Sequence, residues 1–68
     1  MRTKEHYMKL LSENSNATVG FSLAAQAVYS SKFGVFEKSD DEFRQIASDL
    51  KTKYGENLTV NEVISEMA

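Results

Sequence analysis

His6 is the only histidine of this chain and cysteine is absent. A histidine-centred triad or a His/Cys metal site therefore has no partner within the sequence. Glu5, the carboxylate beside it, is adjacent in sequence and would sit on a different face of a helix. Carboxylates gather at Asp40, Asp41 and Glu42. A general acid/base pair needs a cleft that drives the two pKa values apart. These three follow Ser39 in an S-x-x-E pattern instead, which places them at a solvated helix start. Residues 53–59 join two helical patterns, but they lack the alternating Asp/Asn ligands and the length of a calcium loop. No Gly-rich phosphate loop or nucleophile elbow is present. The sequence thus predicts no catalytic residue, no cofactor, no metal and no small-molecule substrate. The expectation is a protein that is not an enzyme.

Cations offer a second kind of chemistry. Lys32, Lys38, Arg44, Lys51 and Lys53 form a candidate basic surface, interrupted by Asp41 and Asp49. The last two helical patterns are joined by a short Gly-containing turn, as in a helix-turn-helix. A recognition helix wants Arg, Lys, Asn or Gln on its outer face. The final segment instead presents Asn61, Glu62, Ser65 and Glu66. The net charge is −2, and residues 56–68 contribute only acid, from Glu56, Glu62 and Glu66. A helix-turn-helix-like nucleic-acid-binding protein is accordingly the alternative reading, not the favoured one.

The elements that would position these groups follow from periodicity and punctuation. Phe43, Ile46, Ala47, Leu50 and Tyr54 recur on one face of a 3.6-residue repeat. Ser39 opens that helix, Lys51 and Lys53 load its end, and Gly55 stands where a left-handed cap is needed. Thr59 and Glu62 repeat the capping pattern before Val60, Val63, Ile64 and Met67, with Leu58 placed as a hydrophobic staple against Val63. A first helix carries Tyr7, Met8, Leu10 and Leu11 on its apolar side. The polar run of residues 12–16 breaks it. Val35 and Phe36 read as apolar plugs in a connection. The predicted architecture is all-α, a small bundle of four helices at about 3–12, 17–33, 40–54 and 60–67, the last one short. Residues 1–68 are expected to form a single helical domain.

The second of these helices is the unusual one. Residues 14–31 contain no charged side chain in a protein that is 26% charged. The stretch is too polar to span a membrane. On it Thr18, Ser22, Gln26 and Ser30 make a neutral polar strip, and Gly20, Ala24, Ala27 and Ser31 a strip of small residues that lets another backbone come close. Residues 18–21 also suit an extended conformation, since Val, Phe and Thr favour strands. A chain of this length buries only about 60% of the surface it exposes when unfolded, and it has neither disulfide nor metal to staple it. Packing alone, or packing plus self-association, must hold it. The favoured reading is a small protein-protein interaction module, a regulator or adaptor. It would associate with itself as a homodimer, or with a larger protein, through Gly20, Ala24, Ala27, Tyr29 and Phe33. On that reading Ala24→Arg disrupts association and spares helicity. The competing reading places the same strips inside a monomeric bundle. No membrane partner is expected. No leader-type apolar stretch follows the basic residues of 1–9, so the expected location is the cytoplasm and the Asn16 and Asn57 glycosylation-type triplets read as chance matches.

Overall fold

The computed structural model describes residues 2–13, 17–36 and 41–68. Its elements run β1 (Arg2–Thr3), α1 (Lys4–Ser12), α2 (Phe21–Phe33), β2 (Val35–Phe36), α3 (Asp41–Tyr54) and α4 (Val60–Met67). The protein is an all-α structure of four helices, to which β1 and β2 add a short antiparallel ribbon pairing Arg2 with Phe36 and Thr3 with Val35. Val35 and Phe36 are thus paired backbone as well as half-buried filling, a correction to their reading as loop plugs. Among the described residues no helix is long and apolar enough to cross a membrane.

Each helix is delimited by local chemistry. Thr3 caps α1, its hydroxyl accepting from the His6 amide at 3.3 Å. α3 ends at Gly55, whose φ of 73° is left-handed and whose amide donates to the Lys51 carbonyl at 2.9 Å. The expected cap of α3 at Ser39 and Asp40 lies outside the described residues. α4 opens with a full capping box. The Glu62 amide donates to the Thr59 hydroxyl at 3.2 Å, and the Thr59 amide donates to the Glu62 carboxylate at 2.8 Å. Leu58, just before that cap, and Val63, one turn in, are both fully buried in the same core cluster, as a hydrophobic staple requires.

The second helix begins later than its composition predicts, at Phe21 instead of residue 17, with Gly20 as its N-cap. The preceding residues are extended. Thr18 bridges Thr59 in antiparallel fashion. The Val19 amide donates to the Leu58 carbonyl at 2.7 Å and the Val60 amide to the Ala17 carbonyl at 3.0 Å. The first amide of α4, which a helix start would leave without a partner, is satisfied across the chain this way, and the β-branched Val19 lies buried. The pairing also closes the turn before α4 onto the entry of α2.

α2 is the central element, touching α1, α3, α4 and both strands. Its Ala24, Ala25, Ala27 and Ser30 have no exposed surface at all. Around them lie Tyr7 and Leu11 of α1, Leu50 of α3, and Val60, Val63 and Met67 of α4. The neutral polar strip runs from exposed Thr18 and Ser22 through the half-buried Gln26 to the buried Ser30. Gln26 Oε1 accepts from the Tyr7 hydroxyl at 2.8 Å and from Arg2 at 3.1 Å, and the buried Ser30 hydroxyl donates to the Ala27 carbonyl at 2.8 Å. Ser31, last of the small-residue strip, donates to the Met67 carbonyl and so satisfies an orphan acceptor at the end of α4. That contact sets the small strip against α4.

Removing the α4 cap tests this account locally. Thr59→Ala should cost about 1 kcal/mol, which in a domain of this size lowers Tm by roughly 4–8 °C. Thr59→Ser should keep most of that stability. Thermal unfolding followed by circular dichroism checks both, and an unchanged Tm for Thr59→Ala would contradict the role given to the cap.

Candidate functional site

Helical geometry decides which leucine of α1 reaches the surface. Tyr7 and Leu11, four residues apart, share the face turned to the core and are almost completely covered. Leu10 is one step round the helix from Leu11, about 100° away, and stays 40% exposed. Opposite it runs the extended segment that the pairing with Leu58 and Val60 holds in place. Beyond that segment α2 rises from Gly20, and its first turn presents the half-buried Leu23. Leu10, Leu11, Val19, Gly20, Leu23 and Val60 wall an open, mainly apolar groove of about 280 Å³.

The other end of α2 carries the second large exposed apolar group, Phe33, 46% exposed. It leans on Tyr29 at 4.6 Å between ring centroids. Tyr29 meets Phe36 edge-on at 5.7 Å, and Phe36 meets Phe43 at 5.5 Å. Phe33 is therefore the solvent-facing end of an aromatic row that fastens α2 to β2 and α3. Lys32 Nζ lies 5.4 Å from the Phe33 centroid.

Of the residues expected to make an interface, Ala24 and Ala27 have no accessible surface and Tyr29 only 8%. They pack inside this chain and are not free to meet another, because the strip that admits a close neighbour is already filled by the chain's own helices. Gly20 and Phe33 do reach the surface, at opposite ends of α2, and do not form one patch. The basic candidates are also divided. Lys38 lies outside the described residues. Lys32 lines a shallow depression with Asp41, Glu42 and Asp49. Arg44 stands 4.0 Å from Asp41, Lys51 is exposed, and Lys53 is paired with Glu66 at 2.7 Å. Among the described residues no three His, Cys, Asp or Glu side chains converge to hold a metal ion.

Glu66 joins α4 to the end of α3. One carboxylate oxygen accepts from Lys53 and from the Tyr54 hydroxyl. These hydrogen bonds hold the Glu66 carboxyl below its ordinary 4.5, and the same carboxylate raises Lys53 and Tyr54. All three shifts favour one arrangement, a carboxylate between two protonated donors. It is a tie between helices at the edge of an open depression that Glu66 lines with Lys4, Ser31 and Lys32.

Two features escaped sequence reasoning. The groove at Leu10 had a signal: adjacent leucines in a helix diverge, so Leu10 and Leu11 cannot share the face set by Tyr7. The Glu66 tie had none, since it depends on how α4 folds back on α3. Comparison with protein-family models, with curated proteins and with solved structures finds no match to this chain.

The tie fixes a pH dependence. Because the folded state lowers the Glu66 pKa, its contribution is complete above the ordinary carboxylate range and is lost as pH falls through the lowered value. Raised values for Lys53 and Tyr54 act in the opposite sense: their contribution is present below their ordinary range and lost as pH rises through the raised values. Glu66→Gln should therefore melt below the wild-type chain at neutral pH. The difference should close on acidification through the lowered Glu66 value, where the wild-type carboxylate also takes up its proton. A gap of constant size across that range would contradict the tie.

Proposed function

We propose that this chain is a small non-enzymatic protein-protein interaction module, a regulator or adaptor, whose contact surface is the apolar groove beside Leu10. The exposure of Leu10 at the rim of that groove is the observation that carries the reading. A partner seated there would remove Leu10 and the apolar walls of the groove from water together, which favours association. The surface moves from the small strip of α2 to the entry of α2, where Gly20 and Leu23 form one wall. Binding is preferred to catalysis because the titratable groups with displaced pKa values belong to a structural tie. It is preferred to nucleic-acid recognition because Arg44 and Lys53 are paired with carboxylates and Lys32 shares a depression with Asp41, Glu42 and Asp49.

The exposed area bears on how such a module works. The chain exposes 4425 Å², close to the roughly 4,300 Å² that a folded monomer of 7.7 kDa presents. That total is ordinary for a folded monomer, and the groove is read as suited to a reversible contact.

Leu10→Arg replaces the anchor at a partly exposed position, with an expected stability change below about 1 kcal/mol. Immobilised wild-type chain should retain a protein partner, its own copies included, that Leu10→Arg loses while melting near the wild-type Tm. Identical retention by the two proteins would contradict the groove as the contact surface.

A further inference from the structure

We draw no further inference here: the strongest candidate, the apolar groove beside Leu10 where α1 meets the entry of α2, belongs to the site already described, and nothing in the structure shows what covers it.

Discussion

Because α2 touches every other element of the fold, the size of its side chains sets how near those elements can come. Ala24, Ala25 and Ala27 are wholly covered, and each leaves room for a larger neighbour such as Tyr7, Leu11, Val63 or Met67. A small domain has little apolar volume to bury, so a central helix of small residues surrounded by large ones is an efficient way to reach interior packing density. The arrangement excludes charge from α2 up to its last turn, since a charged group on any inward face would have to be desolvated without a partner. The absence of charge from Leu23 to Ser31 is the sequence record of that constraint.

Polar groups on α2 are handled by the same logic. Gln26 sits where the rim of the bundle meets solvent, and its side-chain carbonyl oxygen accepts from both the Tyr7 hydroxyl and Arg2. Ser30 closes on its own helix, and Ser31 on the end of α4. Each of these groups is engaged within the chain. What remains for recognition lies where α2 emerges from its packing. One end gives the groove beside Gly20 and Leu23, the other the exposed edge of Phe33.

Much of the architecture was legible because it is written in local signals. The stripe from Phe43 to Tyr54, the left-handed Gly55 and the Thr59 and Glu62 box place α3 and α4 to within a residue. The start of α2 was less legible because local preference allowed either form, and the pairing of Thr18 and Val19 with residues 58–60 favours the extended one. β1 and β2 have two residues each, too few for any period to show. The small-residue strip was visible, but its meaning was not. Alanines and glycines that let a helix approach closely read the same whether the helix belongs to this chain or to another, and only the burial of Ala24 and Ala27 assigns them to the interior. The candidate surface was missed for a related reason. Leu10 looked like part of an apolar side, and its divergence from Leu11 matters only once Tyr7 fixes which of the two faces inward.

The interior position of the small face of α2 is the central claim, and thermal unfolding of Ala24→Arg measures it most directly. Ala24 has no accessible surface, so an arginine there must either bury an unpaired charge or force α2 away from its neighbours, at a cost above about 4 kcal/mol. The whole stability of a domain this size is roughly 3–10 kcal/mol. The account predicts a variant that has lost its cooperative melt, or melts far below the wild-type chain. A variant that keeps native helicity and a near wild-type Tm, and changes only in its association, would place the small face on the outside and contradict the account.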